Sequence, residues 1–547
     1  MAELDSPAGK LPYIPDNLTL AQFILDSHHP SRPIRKHGIP WFIEDHTGRT
    51  VGYEEIRARV FGLANGLKHR FGIKEDDVVL IFSPNHIDYL IVVWAAHRLG
   101  AIVSSANPLF TPDELAYQIQ AIKASVIIAH PDALPVALSA CRTTMLPAHR
   151  IILFNADGAS YDAHTTVQDV IDEGLASTST FQERVLQLGE GKTKVAFLNF
   201  SSGTTGRPKA IAIAHYAPIA NVIQLAAHHR VNDPNWEGQR FKPGDICCAG
   251  MGLMPIVLIT KFNFVNFLES IVRHRITHLM VVPPQIVLFC KHPAVKNYDL
   301  GHVRYVTCGA APLSRELMER LIEIFPNAAI GQSYGTTESC TVIATWSLEN
   351  ECDLSGSAGQ LIPGITARVE KPDGTLAEFD EPGELVVRTP SLALGYAGHP
   401  EAWLRTGDEV KMNRKGEIFV LDRLKEMLKV RGFQVAPAEL EGCILDHPEV
   451  ADACVVGVPD EYSGELALAF VVLRSDAVNR VHDDPVVAET IRQSIIKHVA
   501  DNKVGYKRLA GGVEFVDVIP KNPSGKLLRR VLRDRARNLR LRPVAKL

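Results

Sequence analysis

The sequence lacks the long apolar runs and the cysteine patterns that mark several protein classes. A membrane-spanning helix needs roughly 18 consecutive apolar residues, and the longest candidate, around Leu279 to Phe289, is interrupted by Pro283 and Pro284. The nine cysteines are odd in number and show no C-x-x-C spacing, which argues against a disulfide framework and against a zinc site. We therefore predict a protein of a reducing compartment that is not an integral membrane protein.

An excess of charge of one sign is also missing. The 58 lysines and arginines and the 62 aspartates and glutamates leave a formal net charge of −4, which offers no general attraction to nucleic acid or to anionic membranes. The stretch from Arg529 to Arg542 is rich in arginine, but no aromatic residues interleave with it, so a solvated helix is favoured over a nucleic-acid site. The first residues include Glu3 and Asp5 and no apolar segment, so no secretory signal is expected.

What the sequence does have is length and an alternation of strand and helix patterns. At 547 residues it is too long for one hydrophobic core, so two or more domains are expected. Strands are predicted at 78–82, 101–104 and 125–129, with helices between them. This alternation predicts parallel sheets covered by helices on both faces, with ligands bound at the carboxyl ends of the strands.

Two helix starts can be read from local signals. Ser83 or Asn85 is predicted to cap a helix near 86–98. The sequence Thr111-Pro112-Asp113-Glu114 is a capping box with proline at the first helical position, and it predicts the start of a second helix.

A change in composition near Asp422 divides the chain. Before it, turns such as Pro372-Asp373-Gly374 indicate a more antiparallel region. After it, strands near 453–458 and 467–473 and a helix near 485–500 indicate a compact α+β domain.

The predicted fold class is therefore α/β. A large N-terminal body of parallel and mixed sheets with helices, plus a small β-rich subdomain, is followed by a mobile α+β C-terminal domain. We place the hinge at about Leu424–Lys425, which gives domains of 1–424 and 425–547.

A loop of small residues follows a predicted strand at 195–200. Its backbone N–H groups and hydroxyls can surround a phosphate, with Arg207 or Lys209 supplying positive charge. It is not a Walker A loop, because the lysine is not adjacent to the last glycine, and a flexible surface loop is the alternative interpretation. The candidate phosphate-binding residues are Ser201, Ser202, Gly203, Thr204, Thr205, Gly206 and Lys209.

Further candidate sites are turns that carry chemically useful side chains. Gly309-Ala310-Ala311-Pro312 serves either close ligand approach or tight packing. Tyr334-Gly335-Thr336-Thr337-Glu338 combines a ring for a base, hydroxyls for a phosphate and a carboxylate for Mg²⁺, although a strand-end turn with a capping acid is the alternative. Asp408 can accept both hydroxyls of a ribose, and Arg423 can complete the sugar contact. Lys526 is held on a turn, which suits a mobile reagent, with a solvated lysine as the alternative.

Together and in this order, these stretches closely resemble the adenylate-forming superfamily, which contains acyl-CoA synthetases, adenylation domains of peptide synthetases and beetle luciferases. The resemblance covers about residues 50–535. It is fullest with the 4-coumarate–CoA ligase-like branch, through the continuous stretch from Leu424 to Glu441. A composite of this length is very specific.

The resemblance implies how ATP would be held. Ser201–Lys209 would grip the β- and γ-phosphates, and Gly309–Pro312 together with Tyr334 would sandwich the adenine. Thr337 would touch the α-phosphate. The implied magnesium ligands are Glu338 and Thr204, and the implied ribose contacts are Asp408 and Arg423.

The resemblance also implies two roles for the C-terminal domain. Lys526 would bridge the substrate carboxylate and the α-phosphate during adenylation. Lys425 would be the hinge, about which the domain turns to present a second face for thioester formation. That second face would include Lys429, Gly432 and Gln434.

The sequence departs from the branch in the part that would line the acyl pocket. After Gly244-Asp245, a Leu-Pro-aromatic-aromatic-His block and the following strand-plus-helix segment are absent, and 246–250 runs directly into 251–255. A loop before Trp403 is also short. We expect exposed apolar surface or local repacking there. Ser333 replaces a common glycine, which predicts a shorter acyl group such as a simple aromatic acid.

The predicted function is an ATP- and Mg²⁺-dependent carboxylate–CoA ligase. It would form an acyl-AMP and then an acyl-CoA thioester from an aromatic acid (benzoate, phenylacetate or cinnamate type) or a medium-chain acid. The alternatives are an adenylating enzyme with an acceptor other than coenzyme A, and a catalytically impaired nucleotide-binding homologue that lacks the acyl-gate segment. The final tripeptide Ala545-Lys546-Leu547 is close to the Ser-Lys-Leu peroxisomal address, so we expect a peroxisomal import receptor as partner and the peroxisomal matrix, or otherwise the cytoplasm, as location.

Overall fold

The structure is a computed structural model of the chain. The residues it describes are 3–31, 38–155, 164–201, 209–248, 254–309, 315–371, 373–397, 402–423, 428–435, 437–445, 447–474, 477–478, 480, 484–520 and 529–541.

Strands and helices alternate through most of the chain. The strands are β1 Leu4–Asp5, β2 Phe42–Glu44, β3 Thr50–Val51, β4 Val78–Phe82, β5 Ile102–Ala106, β6 Ala124–Ala129, β7 Ile151–Leu153, β8 Val195–Ser201, β9 Lys209–Ala214, β10 Ile256–Leu258, β11 His278–Val281, β12 Tyr305–Cys308, β13 Ala329–Tyr334, β14 Ala344–Thr345, β15 Gln360–Leu361, β16 Thr366–Glu370, β17 Gly383–Arg388, β18 Leu404–Met412, β19 Ile418–Arg423, β20 Leu428–Val430, β21 Phe433–Val435, β22 Val450–Asp460, β23 Gly464–Leu473 and β24 Gly512–Phe515. The helices are α1 Leu20–Leu25, α2 Tyr53–Phe71, α3 Tyr89–Arg98, α4 Pro112–Ile122, α5 Leu134–Thr144, α6 Val167–Ala176, α7 Tyr216–His228, α8 Phe264–Arg273, α9 Pro283–Lys291, α10 Arg315–Ile324, α11 Leu394–Ala397, α12 Pro437–Leu445, α13 Pro485–Asn502 and α14 Arg529–Leu541.

The first large sheet has the strand order β7-β6-β4-β5-β8-β9. The pairs among β4, β5, β6, β7 and β8 are parallel, as the alternating pattern predicted. Alternate residues of β4 enter different cores: Val79 and Ile81 pack with α2 and α3, and Leu80 and Phe82 pack with α4 and α5. The whole strand is therefore buried and apolar, because both faces of the sheet are covered.

Local signals predicted one of the two helix starts correctly. The capping box at Thr111 is present, and α4 begins at Pro112. The predicted capping by Ser83 or Asn85 is wrong. Helix α3 begins at Tyr89, and its N-cap residue Asp88 makes no capping side-chain bond there, because its carboxylate instead pairs with Arg59.

Two further sheets of the body meet at Cys247. One has the order β10-β2-β3, and the other, β11-β12-β13-β14-β15, is parallel through β13 and antiparallel beyond it. Cys247 forms an isolated bridge with Ile256 of β10 and another with His278 of β11. Cys247 therefore lies in a short bridging segment, just before the junction where the sequence predicts a missing strand and helix. Residues 249–253 of that junction lie outside the described residues. The flanking side chains of Cys247, Met254 and Ile256 are buried, which agrees with local repacking.

The turn-rich region forms the antiparallel sheet that the sequence indicated. Its order is β1-β16-β17-β18-β19, and the β16–β17 and β17–β18 pairs are antiparallel. The N-terminal strand β1 closes one edge by pairing with β16. This sheet carries one of the candidate site residues, Asp408, on β18.

The C-terminal sheet has the order β21-β20-β23-β22, with β24 parallel to β23. Strand β22 separates two small cores. Ala453 and Val455 pack into a core with α12 and α13, while Cys454 and Val456 pack on the side of α14. Each face of the sheet is therefore covered, and the predicted α+β character is present.

The chain divides into two compact units. Unit 1 comprises Met1–Phe200, Ala210–Val281 and Phe289–Asp422, and unit 2 comprises Ser201–Lys209, Val282–Leu288 and Arg423–Leu547. The predicted hinge at Leu424–Lys425 falls on 424–427, outside the described residues. Within the described part of the chain, no helix has the length and apolar character needed to span a membrane.

Candidate nucleotide site

A bulge in the antiparallel sheet places Asp408. Opposite Leu385 on β17, strand β18 carries the three residues Thr406, Gly407 and Asp408, because the register shifts between the pairs on either side. Gly407 adopts a φ of 71°, a left-handed conformation that glycine accepts without steric cost. Thr406 fixes the bulge, since its hydroxyl donates to the Leu385 carbonyl and accepts from the Asp408 N–H. Extra residues of this kind redirect a side chain out of the regular alternation.

The Asp408 carboxylate is contacted by Tyr334, at the end of β13. The tyrosine hydroxyl donates to Asp408 Oδ2 across 2.7 Å, and Asp408 is only 3% exposed. The predicted partner of an adenine ring and the predicted partner of a ribose are therefore neighbours. The bond joins two different sheets of unit 1 at one point.

The turn after Tyr334 is built on a close backbone approach. A Cβ atom on Gly335 would lie 1.5 Å from the Thr341 carbonyl oxygen, so only glycine fits there. Thr336 and Ser339 form a reciprocal capping pair around the short 3₁₀ turn Thr337–Ser339. The Thr336 hydroxyl thus serves the turn itself. Within the motif 334–338, Thr337 and Glu338 are the two residues that lie on this turn.

Two residues with positive φ close the turn. Cys340 has φ 55° and Thr341 has φ 112°. The second value is costly for a β-branched residue, by about 1–3 kcal/mol. The backbone holds this conformation because the N–H groups of Cys340 and Thr341 donate to the carbonyls of Thr337 and Thr336. The Ala393 N–H also donates to the Glu338 carbonyl, which ties the turn to the segment before α11.

A chain of hydroxyls lies on the other face of β13. Ser333, adjacent to Tyr334, alternates to the opposite side of the strand. Its Oγ atom lies 3.0 Å from Thr307 Oγ1 and 2.8 Å from Thr345 Oγ1. Deeper on this face, the rings of Tyr305 and Trp346 stack at 5.0 Å. Burial raises the pKa of the Tyr305 hydroxyl, so this phenol stays neutral.

The predicted phosphate loop is described only at its ends. Ser201 ends β8 and Lys209 begins β9, with the Lys209 side chain exposed. Ser202, Gly203, Thr204, Thr205 and Gly206 lie outside the described residues.

Two other predicted sites are described in part. Gly309 follows β12, and its N–H donates to the Val281 carbonyl, but Ala310, Ala311 and Pro312 lie outside the described residues. Arg423 ends β19, and its side chain likewise is not described.

The predicted thioester face lies on the hairpin β20–β21. Lys429 pairs with Gln434 across this hairpin, and the Lys429 N–H donates to Glu465 Oε2. Gly432 lies in the tight turn between the two strands. The backbone of Gln434 is described but its side chain is not. The catalytic lysine of the prediction, Lys526, lies outside the described residues.

A magnesium ion fits this donor set only together with the phosphates of a substrate. Among the described residues, no group of three or more histidine, cysteine, aspartate or glutamate side chains could hold a metal ion. Mg²⁺ is commonly bound through one or two carboxylates plus phosphate oxygens and water. Glu338 is a carboxylate of that kind, on the fixed turn that follows Tyr334.

Some contributors to the site gave no clear signal in the sequence. Thr406, Ser339 and Ala393 hold the turns in place through hydrogen bonds, and each is an ordinary residue out of context. The extra residues of the bulge that carries Asp408 become visible only when β17 is paired with β18.

Comparison with known proteins identifies the family. The pattern described as AMP-binding enzyme matches residues 30–397, and that of its C-terminal domain matches residues 439–526. The chain belongs to the AMP-binding enzyme family. Its relatives include 4-coumarate–CoA ligase 1 of Narcissus pseudonarcissus, 32% identical, and 4-coumarate–CoA ligase 1 of Solanum tuberosum, 33% identical, each matched over 96% of both chains.

Solved structures show the same fold. The amide bond synthetase McbA from Marinactinospora thermotolerans has a TM-score of 0.74 and 24% identity, over 94% of this chain and 99% of that one. The o-succinylbenzoate CoA synthetase from Bacillus subtilis has a TM-score of 0.72 and 22% identity, over 95% of this chain and 98% of that one. The predicted fold class and the predicted AMP-binding superfamily are confirmed, and so is the enzyme class, an AMP-forming acid–CoA ligase, at the level of the family.

Proposed function

We propose that the protein activates an aromatic carboxylic acid with ATP and transfers the acyl group to coenzyme A. The observation that carries this proposal is the 2.7 Å bond from Tyr334 to Asp408, which joins a base-stacking ring and a ribose-binding carboxylate. The protein is related over nearly its whole length to 4-coumarate–CoA ligases, which supports an aromatic acid as substrate and coenzyme A as acyl acceptor.

Adenylation is a problem of charge. A carboxylate must attack a phosphate that is itself negative, and two unit charges 4 Å apart repel by about 4 kcal/mol at an effective dielectric of 20. Mg²⁺, when held by Glu338 and the substrate phosphates, supplies positive charge that offsets this repulsion. We assign Lys526 to the acid's side of the reaction, where its ammonium would bind the carboxylate and the α-phosphate together. The products of this step are acyl-AMP and pyrophosphate.

Thioester formation needs a different arrangement around the same acyl carbon. The thiol attacks that carbon and AMP leaves, so a lysine that still covered the acyl carbon would block it. In our proposal, the domain that follows Lys425 turns to withdraw Lys526 and presents the face that includes Lys429 and Gly432. Conformational steps of this kind often limit turnover.

The Ser333 side chain supports a short acyl group, such as a simple aromatic acid, rather than a long aliphatic one, because it takes up volume that a glycine would leave free. The hydroxyls of Thr307, Ser333 and Thr345 form a polar strip, and the Tyr305 and Trp346 rings close the sheet face behind it. The two rings and Thr345 are buried, so the partly exposed side chains of Thr307 and Ser333 are what an acyl group could contact on this face. In our proposal the Ser333 side chain limits the length of that acyl group.

The decisive test is a two-stage assay with a panel of acids. Benzoate, phenylacetate, cinnamates and C6–C12 fatty acids are each offered with ATP and Mg²⁺, and pyrophosphate release is measured; coenzyme A is then added and AMP release and thioester are measured. We expect both signals with aromatic acids and loss of the first in Lys526→Ala. Release of pyrophosphate without formation of a thioester would mean that the acyl acceptor is not coenzyme A. Binding of ATP without either signal would indicate a catalytically impaired homologue.

A separate variant tests which class of acid the protein accepts. Ser333→Gly removes the central hydroxyl of the strip and frees volume, so longer acids should gain kcat/KM relative to benzoate. A factor of about 10–200 is typical when a pocket gains or loses one methylene-sized group. An unchanged ranking of acids would mean that Ser333 does not line the acyl pocket.

The location of the enzyme is proposed from its last three residues. Ala545-Lys546-Leu547 matches a peroxisomal address in type. A fluorescent protein fused in front of the full chain should collect in peroxisomes, and deletion of these three residues should return it to the cytoplasm. Identical distributions of the two fusions would remove peroxisomal import from the proposal.

A further inference from the structure

Strand β8 leads into the loop 202–208 and strand β9 leads out of it. Two buried histidines lie at the ends of these strands that are away from the loop. His97 on α3 and His215 after β9 are both fully buried. Their rings lie edge to face, with centroids 4.7 Å apart and an interplanar angle of 81°. The proposed function does not use either ring.

Each histidine holds a different part of the backbone. His97 Nε2 lies 3.1 Å from the Ala196 carbonyl in β8, and its ring packs edge to face on Phe197. The backbone N–H of His215 donates to the Lys194 carbonyl just before β8. His215 Nδ1 accepts from the Leu20 N–H at the start of α1.

These partners fix the hydrogen on each ring. Because a carbonyl only accepts, His97 carries its hydrogen on Nε2 and has a bare lone pair on Nδ1. Because Leu20 donates, His215 Nδ1 is the acceptor and Nε2 carries the hydrogen. The two remaining atoms, His97 Nδ1 and His215 Nε2, have no hydrogen-bond partner within the described part of the chain. One is an acceptor and the other a donor, on rings in contact.

We propose that His97 and His215 act as one coupled positioning pair that sets the ends of the phosphate loop. The two rings are in edge-to-face contact, and the pair ties β8, β9, α1 and α3 together. Neither histidine touches substrate. Their effect on ATP passes through the positions of Ser201 and Lys209, the two ends of the loop. This inference rests on the proposed role of that loop in ATP binding.

Three single-residue variants test the contributions of the two histidines separately. His97→Phe keeps a ring but loses both nitrogens, and His97→Gln keeps a donor for the Ala196 carbonyl. His215→Asn keeps an acceptor for Leu20 but loses the ring that packs against His97. We expect His97→Phe and His215→Asn each to raise the KM and the Kd for ATP about tenfold, with KM for coenzyme A unchanged, and His97→Gln to recover most of the loss. The double variant should cost no more than either single one, since coupled residues are not additive.

A matched control is available on the same sheet. His86 is also buried and its Nε2 bonds the Asn155 carbonyl at 2.7 Å, so His86→Phe should lower the melting temperature without raising the Kd for ATP. If the His97 and His215 variants only lower the melting temperature, or if their effects on Kd simply add, the coupled pair is wrong. ATP binding by calorimetry needs no acid substrate. A parent protein that fails to bind ATP would overturn the proposed function and this inference together, whereas a parent that binds with unaffected variants overturns the inference alone.

Discussion

At the scale of single residues, the site depends on one hydroxyl. Tyr334 donates to Asp408, and a buried carboxylate that loses a donor must be satisfied elsewhere. Tyr334→Phe keeps the ring for stacking and removes this bond. We expect KM for ATP to rise about tenfold, or about 1.4 kcal/mol, with a smaller change in kcat, measured by pyrophosphate release at varied ATP.

A second tyrosine provides the control for that change. The Tyr89 hydroxyl also makes a 2.7 Å bond, to Ser105 Oγ, in a different sheet. Tyr89→Phe should leave KM for ATP within about twofold, because ordinary substitutions away from special features change free energies by less than about 0.5 kcal/mol. Equal KM values for Tyr334→Phe and the parent would show that Asp408 does not need this donor.

Two glycines of the site should respond differently to the same added methyl group. On Gly335 the methyl would lie 1.5 Å from the Thr341 carbonyl oxygen, whereas on Gly309 the nearest atom would be 3.7 Å away. Gly335→Ala should therefore lower the free energy of unfolding by about 1–3 kcal/mol, and Gly309→Ala should change it by less than about 0.5 kcal/mol. Urea unfolding measures both, and a smaller loss for Gly335→Ala than for Gly309→Ala would contradict the geometry.

The residues assigned to the candidate site come from short motifs in the sequence, whereas the structural reasons for those motifs do not. Tyr334, Glu338 and Asp408 are predicted because ring, carboxylate and hydroxyl groups fall together in short motifs. That Gly335 is needed for a carbonyl six residues later could not be predicted, since the close approach exists only once the turn has closed.

At the scale of elements, the Thr337–Thr341 turn holds strain. Cys340 and Thr341 both have positive φ, and a non-glycine residue in that region costs about 1–2 kcal/mol. Glycine relieves this cost but loses about 0.5–1 kcal/mol to entropy. Thr341→Gly should therefore raise the free energy of unfolding by about 1 kcal/mol and lower kcat for adenylation, because Thr337 and Glu338 are then held less tightly.

The companion variant is Cys340→Gly, at a φ that side chains tolerate better. It should stabilise less than Thr341→Gly does, in the same urea titration. Destabilisation by Thr341→Gly would mean that the threonine side chain contributes more than its backbone costs.

Elements with a local cause were predictable and those with a distant cause were not. Strand β4 and the start of α4 follow from an apolar run and from a capping box, both contained in a few residues. The start of α3 was predicted too early, because Asp88 pairs with Arg59 on another helix. The bulge in β18 likewise depends on its partner strand.

At the scale of the whole molecule, the sequence predicts a large body and a small C-terminal domain. Composition and the change from parallel to antiparallel patterns carried that prediction. It could not show which side chains become neutral inside the body, because burial of a histidine is decided by the packing of elements far apart in sequence.

Five of the histidines buried in unit 1 should make this unit sensitive to acid. Burial lowers the pKa of His97, His228 and His278 to about 4, and lowers that of His215 and His229 well below the ordinary value. In the unfolded chain these groups protonate near pH 6.5. As the pH falls from about 6.5 to about 4, the unfolded state therefore binds protons that the folded state does not, and stability is lost. Each such proton contributes about 1.4 kcal/mol per pH unit within that window.

Tryptophan fluorescence can follow this loss in unit 1 alone, since all five tryptophans lie between residues 41 and 403. We expect the urea midpoint to fall steeply between pH 6.5 and about 4.5, above the ordinary pKa values of carboxylates. His228→Gln retains a donor for the Trp346 carbonyl, which His228 Nε2 contacts at 3.1 Å, but it cannot take up a proton. The slope of stability against pH in this variant should be shallower by one proton. A midpoint that stays level from pH 6.5 to 4.5 would mean that these histidines are already charged, or exposed to water, in the folded protein.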